Sequence, residues 1–358
     1  MQKKIIALAV AALASSAAFA QSNVTIYGVA DMFVMHASGS GVKGSNAIES
    51  GGLAGSRLGF KGSEDLGNGL KAIFTLEYAL NMDNNNGVGA ADAPWSSSVA
   101  RQQLVGLSDA KLGTVVAGRL QGAGYDFACA YNPLAGGAFA TNDKLAGSSL
   151  VNCGSAARHD NAIAYVSPTF AGVTVALNHA RVTENAETQA TKKDNVAYVG
   201  SVNYKVGDLN TTAIYTRVQN GQTAASDALR EWGLGASYDF KVVKLFAMYE
   251  NTKAQNDSSA DKKWQIGASA PVSANGTVAA SYAHLKQQRT AADDNAKAWS
   301  VAYIHGLSKR TKLYAGYNRV SNDGVGTRSV TNGYSDNFVI PTAGGNASLW
   351  GVGVNHAF

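Results

Sequence analysis

The chain has 358 residues, with 30 Lys and Arg against 25 Asp and Glu and a formal net charge of +5. This net charge is small, and the basic residues are dispersed along the chain. Nucleic-acid-binding proteins instead cluster their basic residues on one face, so the composition argues against that class. No linker, Pro-rich break or charge block divides the sequence, so we expect one domain although the length would allow two.

The N-terminus has the features of a secretory signal peptide. Lys3 and Lys4 precede an apolar run at 5–14, and Ala18-Phe19-Ala20 closes it as an A-x-A cleavage site. We therefore predict a signal peptide over 1–20 and an exported mature chain. Loss of the two lysines leaves 28 basic residues against 25 acidic ones, a net charge of +3. No second apolar stretch is long enough for a spanning helix.

The mature sequence, 21–358, repeats one pattern: alternation of apolar and polar residues, a break, and alternation again. The breaks are short and long in turn, which is typical of an antiparallel meander. Long breaks lie at 37–53, 82–97, 122–157, 182–194 and 322–346. Sixteen strands are predicted, at 23–36, 54–63, 69–81, 98–108, 113–121, 158–167, 172–182, 194–206, 208–219, 228–240, 242–253, 262–272, 275–287, 295–305, 311–321 and 347–358.

Two physical arguments indicate a closed barrel in a membrane. An open sheet of sixteen strands would leave edges exposed, and closure removes them. One face of strand after strand is apolar, as with Leu76, Tyr78 and Leu80, while the other carries ionisable residues such as Lys71 and Glu77. So many charges cannot lie in a dry core. The polar face must line a water-filled interior and the apolar face must meet lipid.

Aromatic residues and the last strand fit this architecture. The final stretch, SLWGVGVNHAF, keeps the two-residue period to Phe358, as expected of a strand that closes onto the first one. We predict an all-β fold, a 16-stranded antiparallel transmembrane β-barrel over 21–358. Aromatic residues favour the strand ends, where interfacial girdles would place them: Tyr27, Phe60, Tyr78, Phe170, Tyr238, Phe240, Trp264, Trp299 and Tyr303.

The only two cysteines, Cys129 and Cys153, lie in one loop-like segment. In an exported chain oxidising conditions favour a disulfide between them. The alternative is two free thiols that are merely near each other. Neither belongs to a C-x-x-C pair, so we do not expect a redox site.

Six stretches follow one another in order along the whole mature chain: SNVTIYGVAD (22–31), GSRLGFKGSEDLGNGLKAIFTLE (55–77), RQQLVGL (101–107), GTVVAGRL (113–120), RHDNAIAYVSP (158–168) and VNHAF (354–358). Together they resemble the beta-proteobacterial branch of the Gram-negative trimeric general porins. The resemblance implies a homotrimer in the outer membrane, with a third long loop, here Gly122–Ala157, folded into each pore. Implied partners are outer-membrane lipid and lipopolysaccharide, the outer-membrane assembly machinery, and small hydrophilic solutes and ions; Phe358 would be the assembly signal.

The resemblance also implies the residues of a pore constriction. Family porins place arginines on the wall opposite the inward loop, and the matching residues here are Arg57, Arg101 and Arg158. Arg119 is a weaker candidate, because the parity of its strand is ambiguous. The acidic side would comprise Asp126, Asp143 and Glu77. Opposed charges would set up a transverse field, and rings of arginine favour anions. A net charge of +3 predicts only a modest anion preference.

Other functions have weaker support in the sequence. An enzyme needs a nucleophile, a histidine and an acid at one place, but the six histidines are scattered and no H-E-x-x-H or G-x-S-x-G motif occurs. No metal-ligand spacing is present, and we predict no cofactor. A substrate-specific channel or an adhesin on the same barrel, and a soluble exported β protein, stay open as alternatives.

Overall fold

The structure is a computed structural model. It describes residues 23–84, 88, 100–145, 150–181, 196–219, 228–255, 257–288, 293–331 and 339–358. The predicted signal peptide at 1–20 and the predicted long break at 182–194 lie outside these residues.

Strands dominate the described chain, and each runs antiparallel to the strands that it pairs with. Most contain nine to twelve residues, the length of a tilted membrane strand. The strands are β1 (Asn23–Gly39), β2 (Val42–Ser50), β3 (Arg57–Gly67), β4 (Leu70–Ala79), β5 (Ala100–Asp109), β6 (Gly113–Gln121), β7 (Arg158–Val166), β8 (Val173–Arg181), β9 (Val196–Val206), β10 (Leu209–Gln219), β11 (Leu229–Asp239), β12 (Lys244–Ala254), β13 (Asp261–Pro271), β14 (Gly276–Lys286), β15 (Ala296–Gly306), β16 (Thr311–Asn322) and β17 (Asn346–Ala357).

The sheet closes because its last strand pairs with its first. The register joins Val29 of β1 to Ala357 of β17, and Gly28 and Phe358 exchange backbone hydrogen bonds of 3.0 and 3.1 Å. Consecutive strands pair all the way round from β3 to β17. This arrangement confirms the predicted closed barrel, in which the backbone of every spanning strand is hydrogen-bonded on both sides.

The predicted break at 37–53 is partly wrong, because β1 continues to Gly39 and β2 forms within it. The second half of β1 pairs with β2 and its first half pairs with β3. These two strands share one position in the wall, so seventeen strands make a barrel of sixteen positions. The sequence of β2, VKGSNAIES, has few of the branched and aromatic residues that identify strands.

The type of side chain on each face of the strands shows which side of the barrel wall is apolar and which is polar. On β11 and its neighbours the outward Leu234 and Ile266 are 55% and 54% exposed, whereas the inward Glu231 and Gln265 are 1% and 0% exposed. Apolar side chains therefore cover the outside and ionisable ones face the interior. This is the opposite of a water-soluble sandwich, which buries its apolar face.

The segment Gly122–Ala157 holds the helices of the described chain. These are α1 (Ala123–Ala130), α2 (Thr141–Leu145) and a 3₁₀ turn at Ser155–Ala157. No helix in the described ranges has the length and apolar character needed to cross a bilayer.

The third long loop is folded into the barrel, as predicted. Helix α1 lies against β6 and β8–β10, and α2 lies against β13–β15. Apolar rings anchor the loop: Phe127 packs on Tyr131, and Phe139 packs on Phe33 of β1 and Tyr314 of β16. The interior is therefore not uniformly wet, because the wall beneath the loop forms a dry contact with it.

Small residues on the inner wall make room for these rings. A Cβ atom at Gly235 would lie 2.2 Å from the ring of Tyr131, and one at Gly316 would lie 2.7 Å from the ring of Phe139. Both distances are shorter than any van der Waals contact, so only glycine allows the loop to approach this closely.

Asp31 ties together the strands that close the barrel. Its buried carboxylate accepts hydrogen bonds from the backbone N–H groups of Gly52 and Ala54 at 2.9 and 3.0 Å, and from the Asn355 amide of β17 at 2.7 Å. The Tyr314 hydroxyl of β16 also donates to it. A single side chain thus links β1, β16, β17 and the segment that follows β2.

We predict that Asp31→Ala destabilises the barrel, because buried donors on three elements lose their acceptor. The loss should be about 2–5 kcal/mol, the range for breaking a buried charged network. The measurement is the temperature at which the folded band is lost on a detergent gel. Asp65→Ala is the control, since that carboxylate lies near the exposed end of β3 and bonds the nearby Gly67 N–H. Equal melting of the two variants would contradict the prediction.

Candidate functional site in the barrel lumen

Two predicted arginines meet at one carboxylate on the inner wall. Arg57 begins β3, Arg101 lies at the start of β5, and Glu77 lies near the end of β4 between them. The Glu77 carboxylate is 2.7 Å from Arg101 Nε and 3.6 Å from Arg57 Nε, and it accepts a 3.0 Å hydrogen bond from the Tyr27 hydroxyl. A register shift between Glu77 and Tyr78 allows Arg101 to reach it.

The position of Glu77 corrects the sequence-based expectation. The resemblance places it on the acidic side, facing the arginines across the pore, but it lies among them. Two arginines and one carboxylate leave a local charge of +1, in a group held rigid by its own contacts. Arg101 is buried, whereas the Arg57 side chain keeps 26% of its surface exposed. Arg57 is therefore the cation of this group that solutes can meet.

Arg158 is held differently. It is the first residue of β7, and its guanidinium lies over the ring of Tyr125 from α1, with 4.8 Å to the ring centroid. This is a cation–π contact. No carboxylate lies within 4 Å of it in the described chain, and its buried Nε and Nη2 have no hydrogen-bond partner there. Its charge is the least neutralised of the predicted arginines.

The structure does not bring Arg119 to this group. Its guanidinium pairs with Asp160 at 2.5 Å and its Nε donates to the Ala100 carbonyl. The adjacent Leu120 points inward and packs beneath the third loop, so Arg119 projects from the other face of the strand. A bulge between Gly118 and Leu120 accounts for the ambiguous parity of this strand.

The two acidic residues of the loop have different environments. The Asp143 carboxylate accepts the Cys153 N–H at 2.9 Å, and burial raises its pKa. The neighbouring Lys144 donates to the Val330 carbonyl, and burial lowers the pKa of this amine to about 7. Asp143 is therefore a partly buried acceptor that holds the loop at Cys153.

Asp126, on α1, reaches the lumen water. Its surface is exposed, yet the barrel wall encloses the loop on every side, and this surrounding protein raises the pKa of Asp126 to about 6. Such a carboxylate changes charge near neutral pH. Among the three predicted acidic residues it is the most exposed.

A second charged group, which the sequence did not reveal, lies on the wall behind the loop. Lys263 of β13 pairs with Glu250 of β12 at 2.7 Å, and both are buried. Glu231 of β11 accepts the Leu150 N–H at 3.1 Å and the Thr216 hydroxyl at 3.0 Å. These contacts secure the returning half of the loop. The sequence signal for this group was the alternation along β11–β13, which places these charged residues on the inward face of their strands.

Cys129 and Cys153 are joined by a disulfide in the structure, with their Cα atoms 5.1 Å apart. The bond connects the end of α1 to the segment that returns toward β7. It closes a loop with a sequence separation of 24. In the chain-entropy model, a loop of this size gives roughly 3 kcal/mol of stabilisation.

Taken together, these side chains place fixed charges along the inner wall. Two unit charges 4 Å apart interact by about 4 kcal/mol at intermediate dielectric and by about 1 kcal/mol in bulk water. Charges fixed beside a narrow path therefore act strongly on passing ions. In the described residues no group of three or more His, Cys, Asp or Glu side chains is placed to hold a metal ion.

Comparison with known proteins gives one consistent result. A family model for Gram-negative porins matches residues 7–325. Outer membrane porin protein 32 of Delftia acidovorans is 33% identical, with the whole of both chains covered. An outer membrane porin protein of Bordetella pertussis is 28% identical over the same full coverage. An anion-selective porin from Comamonas acidovorans has a TM-score of 0.80 at 27% identity, covering 94% of this chain and 100% of that one.

We predict that ion selectivity changes with pH through Asp126. A carboxyl group with a pKa of about 6 is mostly ionised at pH 7.5 and mostly neutral at pH 5. Acidification therefore removes a negative charge from the lumen and increases any preference for anions. Asp126→Asn should largely abolish this step, measured as reversal potential under a salt gradient. Protonation of Lys144 acts in the same direction and would leave a small remaining slope.

Asp65→Asn is the control for the pH series, since Asp65 is an exposed residue near the end of β3, away from the third long loop. It should keep the full pH step of the unmodified protein. An Asp126→Asn variant that also keeps the full step would show that another group titrates.

Proposed function

The chain belongs to the family of Gram-negative porins, and from this premise we propose that it forms a general diffusion pore for ions and small hydrophilic solutes, with a modest preference for anions. It is an outer-membrane porin. The observation that carries the proposal is the closed barrel with apolar residues outside and ionisable residues inside. The similarity to an anion-selective porin at 27% identity supports the anion preference.

The proposed selectivity rests on an imbalance of charge along the wall. Arg57 presents a partly exposed positive charge to the solute path, Arg101 lies buried behind it, and the buried Arg158 adds its charge from beneath Tyr125 of the loop. Glu77 neutralises part of this charge from within the cluster. Asp126 is the opposing lumen charge, so the preference for anions should be modest at neutral pH.

Permeation requires no bond making, and family membership describes a channel rather than an enzyme. The lumen acts through size and electrostatics. A solute passes between the fixed arginine wall and the inward loop, losing part of its hydration shell and gaining the field of these charges. Arg119, paired with Asp160 away from this wall, is not part of the proposal.

We also propose that the protein is a homotrimer and that Phe358 is read by the outer-membrane assembly machinery. Support for a contact between copies comes from the outer surface around β1 and β5. There Ile26, Val34, Val105 and Leu107 are exposed, and the outward positions of these strands carry no Lys or Arg. Phe358 completes the closing pair with β1 and is itself exposed.

The decisive experiment removes Arg57, the partly exposed arginine of the wall, and Arg158, a buried arginine with no carboxylate partner within 4 Å in the described residues. Arg57→Ser combined with Arg158→Ser should shift the reversal potential in planar bilayers toward cation preference by several-fold in the permeability ratio, because two positive charges leave the wall. Lys309→Ser with Arg310→Ser is the matched control, as both residues are exposed on a turn outside the lumen. An unchanged reversal potential would refute the role of the arginines. Conductance that saturates at low solute concentration would favour a substrate-specific channel.

We propose that the Cys129–Cys153 disulfide stiffens the inward loop. Reduction by dithiothreitol should increase the open-channel current noise, because the end of α1 gains freedom to move against the wall. A Cys129→Ser, Cys153→Ser variant should be noisy from the start and insensitive to the reductant. Equal noise in the oxidised protein, the reduced protein and the variant would eliminate this role.

A further inference from the structure

A row of basic side chains runs around the outside of the barrel at the end that carries the long loops. It occupies one outward position on each of six neighbouring strands, β10–β15. Their backbone parity matches that of the exposed apolar residues, such as Leu234 and Ile266, so they project away from the lumen. We name this set the basic row; it comprises Arg217, Arg230, Lys253, Lys262, Lys286 and Lys297.

The register places like charges directly opposite one another. Arg217 faces Arg230, and Arg230 faces Lys253 on the next strand. Lys262 likewise faces Lys286. Directly opposed residues on one face have Cβ atoms about 5 Å apart, and like charges in such pairs are destabilising. A chain of such pairs calls for an anionic group outside the protein.

Carboxylates of this chain do not supply that group in the described residues. No Asp or Glu lies within 4 Å of any member of the basic row there. The acidic residues at the same end of these strands, Glu231, Glu250 and Asp261, face inward and are buried. Asp323, just beyond β16, interacts with His284 of this outer face but forms no ion pair with the row.

An aromatic row lies directly below the basic one. Trp232, Trp264 and Trp299 each stand two residues from a basic residue on the same outward face of their strand. Their rings contact Tyr249, Tyr282 and Tyr317 of neighbouring strands, with centroids 5.0–5.5 Å apart. Aromatic rings at this position mark the boundary between acyl chains and headgroups. The basic row therefore lies at the level of the headgroups.

The other end of the same strands lacks this arrangement. Outward positions near the short turns include Tyr238, Leu245, Val278 and Tyr303, and no outward position of β10–β15 at that end carries Lys or Arg. The asymmetry matches a membrane whose two surfaces differ in charge. It also argues against an evenly spread solubilising charge.

We infer that the basic row binds the phosphate groups of the glycolipid in the outer leaflet, with the aromatic row against the first part of its acyl chains. Lysine and arginine side chains can extend along the wall toward the headgroup while their charges meet the phosphates. The inference gives a site on this chain to the outer-membrane lipid that the family resemblance implies as a partner. It rests on the outer-membrane location and does not depend on ion selectivity, since the basic row is outside the lumen.

The test compares binding of bisphosphorylated lipid A, dephosphorylated lipid A and inorganic phosphate to the folded protein in zwitterionic detergent micelles. The variant is Arg230→Gln, Lys253→Gln, Lys262→Gln and Lys286→Gln together. It should bind phosphorylated lipid A roughly ten- to a thousandfold more weakly than the unmodified protein. The matched control neutralises four exposed basic residues elsewhere: Lys111→Gln, Lys205→Gln, Lys309→Gln and Arg310→Gln.

Four results would overturn the inference: equal affinity in the variant, equal loss in the control, equally tight binding of dephosphorylated lipid A, or binding of inorganic phosphate as tight as that of the lipid. If the fourfold variant does not fold, Lys286→Gln with Lys262→Gln removes one opposed pair and should still weaken binding. Single-channel conductance should be unchanged in the variant, so failure here is separable from failure of the pore.

Discussion

Hydrocarbon offers no hydrogen-bond partner to a strand, and this constraint shapes the whole molecule. Each spanning strand must pair on both sides, so the last strand has to meet the first, as β17 does β1. Closure then assigns the two faces of every strand: one meets lipid, the other the interior. Asp31 stabilises this β1–β17 closure, because its carboxylate accepts hydrogen bonds from β16, β17 and the segment after β2.

A closed barrel of this size leaves an interior too wide to fill with wall side chains alone. The third long loop occupies part of it, and the wall is adapted to receive it. Glycines such as Gly235 and Gly316 sit beneath aromatic rings, and the buried Glu231 accepts a backbone N–H from the returning chain. The interior therefore divides into a dry contact behind the loop and a charged, wet path in front of it.

The charged residues on the inner and outer faces of the wall are arranged differently. Inside, Arg57 and Arg101 both lie beside the Glu77 carboxylate. Arg158 packs on the Tyr125 ring and, in the described residues, has no carboxylate within 4 Å. Outside, basic side chains face each other across strands and collect at one end only. Because a barrel wall is one residue thick, alternate residues of the same strand serve both surfaces, as Glu231 and Arg230 do on β11.

The sequence alone determined the strand pattern and the closed barrel, because a period of two is a local property of each strand. It also placed Arg57, Arg101 and Arg158 in the wall by resemblance. Only the tertiary structure decided that Glu77 lies among the arginines and that Arg119 pairs with Asp160 away from them. It also decided that β2 and β3 share one position in the wall. Bulges and cross-strand register set those contacts. Both depend on neighbours distant in the chain, which the rhythm of one strand cannot reveal.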